Sequence, residues 1–354
     1  MKYAKFLIFL FLFSCVRVIN PPIRVTSPLL VVEGWITTDP GPYFVRLSYS
    51  GRFAAAYQLT DKEFISDAQV IISDDLGDST LCSWVSDGTY QSTDSAFTGT
   101  PGRSYRLTVR LSDGKVYTSS PEKIEPVPPI DSVSVVYDST YITDVRPTQL
   151  IVSVHTHDIP GTQNYYRWTA SGYIPRRSSG APCSLGSPPC GSDCVCYAFC
   201  VQYLAEDRIN IFSDRFTDGS QIVQPVFYSP LYWKGVHFIQ INQFSISREA
   251  YSFWQAFLEQ TNRTGSTLDP LPAPLKGNVY NAVNSGDRAL GLFSASMVSS
   301  KKVKITPDFL QEYYLRSIAG AYIKQGDCQY VFPNTLGDGD NPPGWEDAES
   351  IEMK

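Results

Sequence analysis

Residues 105–120 read YRLTVRLSDGKVYTSS, and this stretch constrains the fold more than any other. Tyr105, Leu107, Val109 and Leu111 point one way and Arg106, Thr108 and Arg110 the other. Strict alternation has the period of a β-strand with one buried face. Asp113-Gly114 then reverses the chain, because glycine takes positive φ without strain. The pattern recurs. PLLVVEGWIT at 28–37 turns at Asp39-Pro-Gly-Pro42 into YFVRLSYS, and AQVIISDDLGDSTLCSWV at 68–85 folds back across Asp74–Asp78. Twenty-two Tyr and nineteen Phe favour strands, and 24 Gly with 25 Pro supply the turns between them. Residues 28–125 are expected to form a β-sandwich of the immunoglobulin or carboxypeptidase-regulatory kind.

PEKIEPVPPIDS at 121–132 interrupts the strands. Its prolines lack an N–H and fix φ, so a stiff linker is predicted, with a domain boundary near residue 125. Strands resume with SVSVVYD, TQLIVSVHTH and NYYRWTASGY, and VHFIQINQFSI alternates again. One segment has helical spacing. REAYSFWQAFLEQT places Ala250, Trp254, Phe257 and Leu258 on one side, with Ser247 as N-cap and Glu249 in the first turn. A helix over 248–261 is predicted, its Trp254 and Phe257 in the core. The fold is therefore mainly β: an N-terminal sandwich, then a larger β-rich domain over 126–335 with one prominent helix. Residues 336–354 read as an irregular acidic tail.

The first residues are an address. Lys2 and Lys5 precede the apolar run Phe6–Phe13, which is too short for a bilayer, since a span needs about 20 apolar residues. Ser14-Cys15 then resembles a bacterial lipobox, in which Cys15 carries the lipid and becomes the mature N-terminus. Residues 1–14 are expected to be a lipoprotein signal peptide and 15–27 a lipidated tether, which leaves 340 of 354 residues to fold. A net charge of −6 leaves no basic footprint for nucleic acid.

Exported cysteines read first as disulfide partners. Cys183, Cys190, Cys194, Cys196 and Cys200 crowd into one loop, Cys328 lies far off, and Cys82 sits alone in a strand. The C-x-C step is too tight for the usual paired zinc ligands, so disulfides are expected and no metal is assigned. His155 and His157 share a strand face beside Asp158, a possible chelate whose other reading is a solvated strand end. Asp338-Gly-Asp-Asn341 resembles the start of a calcium loop but has no ligand-bearing helix to follow it. Catalytic signatures such as G-x-S-x-G, H-E-x-x-H and the phosphate loop do not occur. No enzyme activity and no cofactor are expected. Tyr228, Tyr232 and Trp233, in the segment YSPLYWKG, are the candidate partner or ligand contacts, since binding residues gather on loops.

A family resemblance adds to this. LVVEGWITTDPGPYFVRLS, DAQVIISDDLG, GRSYRLTVRLSDGKVYTS, VPPIDSV, NYYRW, REAYSFWQAFLEQTNRTGSTLDPLPAPLKGNV and LGLFSASMV occur in that order. Together they resemble the Bacteroidota lipoproteins of domain-of-unknown-function family 4249. The resemblance implies an outer-membrane lipoprotein, commonly encoded beside a SusC-type TonB-dependent transporter and comparable in role to SusD-type lids. The chain departs from the family pattern in its cysteine-dense loop. Display on the cell surface is expected, although Val16–Asn20 lack the acidic residues that favour it in this phylum. The expected function is a non-catalytic, lipid-anchored accessory subunit of an outer-membrane complex, partnering such a transporter in nutrient capture. Two other readings stand beside it: a free-standing adhesin or glycan-binding module, and a structural subunit of an envelope assembly machine.

Overall fold

The computed structural model describes residues 28–51, 63–138, 148–179, 197–233, 235–262, 275–284, 286–308, 324–336 and 342–353. The signal peptide, Cys15, the tether, Cys183, Cys190, Cys194, Cys196 and Asp338–Asn341 lie outside the described residues. Chain order begins with β1 (Leu30–Thr37), β2 (Phe44–Tyr49), β3 (Glu63–Phe64), β4 (Gln69–Asp74), β5 (Ser79–Ser86), β6 (Thr89–Ser92), β7 (Ser104–Arg110), β8 (Val116–Ser119) and β9 (Glu122–Lys123). It continues through β10 (Ser132–Asp138), β11 (Gln149–His157), β12 (Tyr165–Ser179), β13 (Tyr197–Ala205), β14 (Asn210–Ser213), β15 (Gln221–Pro230) and β16 (His237–Ser245). The last elements are α1 (Arg248–Thr261), β17 (Lys276–Asn281), β18 (Arg288–Ser296), β19 (Val298–Pro307), β20 (Lys324–Gln325), α2 (Cys328–Val331) and β21 (Glu349–Met353). The protein is mainly β, as its alternation requires.

The hairpin β7–β8 forms as expected, with Tyr105, Leu107 and Val109 buried and Arg106 and Arg110 exposed. β5 and β6 are joined through Asp87 and Gly88, both at positive φ, the conformation a two-residue hairpin turn needs. The strands do not divide into the two sheets of a sandwich, however. They belong to one continuous sheet whose pairings run β1–β18–β17–β8–β7–β4–β5–β6–β2 and return to β1. Closure leaves these strands no free edge, and one side of each faces a single enclosed core of Val32, Ile36, Leu47, Ile72, Leu107 and Phe293.

Two of the ring strands, β17 and β18, come from far beyond residue 125, so this unit draws on both sides of the expected boundary. β1 pairs with β18 in parallel, Val31 opposite Leu290 through Thr37 opposite Ser296. Gly291 makes the seam possible: its φ is +90°, and a Cβ there would lie 2.0 Å from the Val32 carbonyl oxygen.

The proline-rich segment is the crossing between two cores. Ile124 belongs to the ring, and Val127 and Ile130 to the second core. Prolines offer only carbonyls here, and side chains of the second unit bond them: Gln243 Nε2 donates to Pro128 O at 2.8 Å and Thr156 Oγ1 to Pro129 O at 2.8 Å. The second unit packs the three strands β10–β11–β15 over the sheet β13–β12–β16–β19–β21. Leu150, Val152 and Phe227 from the first sheet meet Trp168, Ile241 and Val303 from the other. The tail is less irregular than expected, because β21 pairs in parallel with β19 and buries Trp345 against Phe238.

Helix α1 occupies the predicted span. Ser247 Oγ accepts from Ala250 N at 3.1 Å, which caps it. Its stripe is only partly in a core, short of the expectation. Ala250 packs with Ile246 and Leu292, Trp254 is half-buried, and Phe257 is 37% exposed. The helix lies against both units, over Leu292 of β18 and Tyr165 of β12, so only its first turns find apolar cover.

Candidate functional site

The long strand β12 carries Arg176 and Arg177 on neighbouring positions, which a strand directs to opposite faces. Each guanidinium lies over an aromatic ring: Arg176 is 3.3 Å from the Tyr232 centroid and 4.5 Å from Phe332, and Arg177 is 4.1 Å from Trp233. Burial lowers the Arg176 pKa, and the rings and Gln202 Oε1, which accepts from Arg176 Nε at 2.6 Å, hold the cation in place. Gln202 in turn donates to Pro333 O at 3.1 Å.

These contacts fix β13. Its inward residues are Cys200, bonded to Cys328, and Gln202; its outward residues Phe199 and Tyr203 are 45% and 39% exposed. The disulfide and Phe332 form a small buried core of their own, which holds α2 and residues 332–336 along the strand edge. Tyr203 N donates to Asn334 O at 2.8 Å and Leu336 N to Val201 O at 3.1 Å. Beside this edge is an open cleft of 490 Å³, lined by Tyr173, Tyr203, Asn334, Thr335 and Leu336. Tyr173 and Tyr203 meet edge-to-face with centroids 5.3 Å apart. Such a lining presents two aromatic rings with their hydroxyls, and the polar side chains of Asn334 and Thr335, to the cleft.

The residues named from sequence fall differently. Trp233, expected in an exposed loop, is 4% exposed beneath Arg177 and Phe199. Tyr232 is half-buried under Arg176. Tyr228 belongs to β15, where Arg208 stacks 3.3 Å from its centroid and Glu206 accepts from its backbone N–H at 3.1 Å. The segment YSPLYWKG is thus mostly strand end and core, and Phe199 and Tyr203 on β13 are two of several exposed aromatics among the described residues, which also include Trp84, Phe216 and Tyr330. The signal of the β13 pair was present in the alternation of YAFCVQYLA, but sequence alone does not say which face of that strand is covered.

Of the seven cysteines after Cys15, Cys200 and Cys328 pair, and Cys82 is a free thiol buried in β5. His155 and His157 do share a face, but each has its own partner: His155 Nε2 lies 2.7 Å from Ser134 Oγ and His157 Nδ1 2.7 Å from Asp131 Oδ2. Asp158 is on the opposite face and buried, so the three do not converge. His237 is fully buried with Ser229, and burial pushes its pKa down to about 3.

A model of a domain of unknown function, DUF4249, matches residues 16–302. The chain belongs to the DUF4249 family. No curated protein matches it. The DUF4249 match takes in the closed ring and ends within β19. Cys328 and the 334–336 side of the cleft therefore lie beyond the matched region, and the Cys200–Cys328 bond ties them to it.

Proposed function

We propose that this DUF4249 protein is a non-catalytic, lipid-anchored accessory subunit of an outer-membrane complex, partnering a SusC-type TonB-dependent transporter in nutrient capture. The observation that carries this reading is the β13 edge. Phe199 and Tyr203 each turn part of a ring to solvent from a strand whose other face is held by a disulfide and by a stacked arginine. Exposed aromatics on a rigid element lose little freedom on association, which is what a contact surface needs. The anchor rests on Lys2, Lys5, the run Phe6–Phe13 and Cys15. A glycan-binding module is the second reading, favoured by the two tyrosines of the cleft.

Affinity purification of the tagged full-length chain from its native outer membrane tests the proposal. A β-barrel transporter should co-purify in stoichiometric amount, and Tyr203→Asp should lose it while remaining folded. Cys15→Ser should be exported yet leave the membrane fraction. Recovery of the chain without a barrel, combined with direct oligosaccharide binding that Tyr203→Ala abolishes, replaces the transporter reading with the glycan one.

A further inference from the structure

Asp158 meets Asp214 and Asp218, which are far from it in sequence, where the β11–β12 and β14–β15 connections touch. Asp158 follows β11, Asp214 follows β14, and Asp218 lies in the same connection as Asp214. Each brings one carboxylate oxygen to within 4.8 Å of the others. Asp158 is 4% exposed and Asp214 1%, while Asp218 opens to solvent.

Neutral donors organise the cluster. Asp158 accepts from the Tyr166 hydroxyl at 2.6 Å, from Asn164 Nδ2 at 3.3 Å and from Gly219 N at 2.9 Å. Asp214 Oδ2 accepts from Asn164 N at 2.7 Å, and Asp218 Oδ1 from Gly161 N at 2.9 Å. Among the described residues, no lysine, arginine or histidine pairs with any of the three. The second, independent observation is an orphaned atom: Asp214 Oδ1 is buried with no hydrogen-bond partner among the described residues. A buried carboxylate oxygen without a donor, next to another buried carboxylate, is costly unless a positive charge sits between them.

We propose that Asp158, Asp214 and Asp218 bind a calcium ion that clips the 158–164 connection to the 214–220 connection. The donor set is all oxygen and carries three formal charges, which suits a hard divalent cation. One member of the cluster is exposed, leaving room for the water ligands that complete a seven- or eight-fold shell of about that size. Magnesium asks for a tighter octahedron and keeps its waters, so it fits less well.

The test uses the full chain freed of ions with EDTA. Terbium, a calcium surrogate, should bind at one ion per chain and luminesce when tyrosine is excited, because the Tyr166 hydroxyl bonds directly to Asp158. Calcium should displace terbium and raise the melting temperature, and magnesium at equal concentration should do neither. Asp218→Asn, at an exposed position, should fold normally and weaken calcium binding by about tenfold or more, since ligand charge sets affinity. Asp214→Asn should abolish it. Terbium binding left unchanged by both substitutions, or magnesium acting like calcium, overturns the proposal. A melt that ignores calcium and rises only on acidification also overturns it, and assigns the pair a shared proton instead.

Discussion

The guanidinium carbon of Arg167 lies 4.0 Å from the centroid of the Trp254 ring. This contact joins β12 to α1, so one face of the indole is occupied by a cation. Arg167 Nε is buried without a hydrogen-bond partner among the described residues, and burial pushes the side-chain pKa down to about 10. The group stays charged at neutral pH, so the ring is its main electrostatic compensation.

Trp254→Ala should therefore destabilise the protein by about 2–3 kcal/mol, combining lost packing with a cation left bare. Phe257→Ala, three residues on where the ring is 37% exposed and touches Trp254 edge-to-face, should cost less, about 1 kcal/mol. Urea unfolding of both measures the difference. Equal losses would mean that the helix buries its whole stripe in solution, as its periodicity suggests.

Trp233→Ala should be the more damaging substitution, at about 3–5 kcal/mol, because it empties a buried site beneath Arg177 and Phe199. Thermal melts decide this. A variant with unchanged melting that loses its partner would restore Trp233 to the surface role expected from sequence.

The Cys200–Cys328 bond spans a sequence separation of 128 residues. Cys328→Ser should cost about 2–5 kcal/mol and loosen residues 332–336, and dithiothreitol should do the same to wild type. Cys82 supplies an internal control. Burial pushes its thiol up to about 12, so it should resist alkylation in the native state and react only after unfolding. Rapid labelling of Cys82 in folded protein would contradict the closed ring around it.

Glu122 sets a pH dependence. It is buried beside Asn278, whose Nδ2 donates to Oε1 at 2.8 Å, and burial raises its carboxyl from 4.5 to about 7. Between those values the native state holds a proton that the unfolded state has lost. The unfolded state thus binds fewer protons, and this group's contribution falls as pH rises from about 4.5 to 7, then stays low. The full effect is on the order of 3 kcal/mol. Glu122→Gln should flatten the profile and be the more stable form at pH 8, with little difference near pH 4.5. Parallel pH dependences for the two proteins would exclude Glu122 as the cause.

The hairpins were legible in the sequence because what makes them is local. Alternation over a few residues sets which side is buried, and Asp-Gly pairs set where the chain reverses; the Ser247 cap and the span of α1 are local in the same sense. Closure of the ring is not. Val31 pairs with Leu290 across the whole second unit, which lies between them in sequence, and no nearby residue reports that pairing. The aromatic assignments inverted for a related reason. Trp233 and Trp254 have similar apolar patterns around them, and what separates them is which arginine and which element happen to cover each ring. The Cys200–Cys328 partnership and the meeting of Asp158 with Asp214 and Asp218 likewise follow from strands brought side by side. Periodicity specifies a face; only packing between distant segments decides what that face meets, because the free energy of burial depends on the neighbour and not on the residue alone.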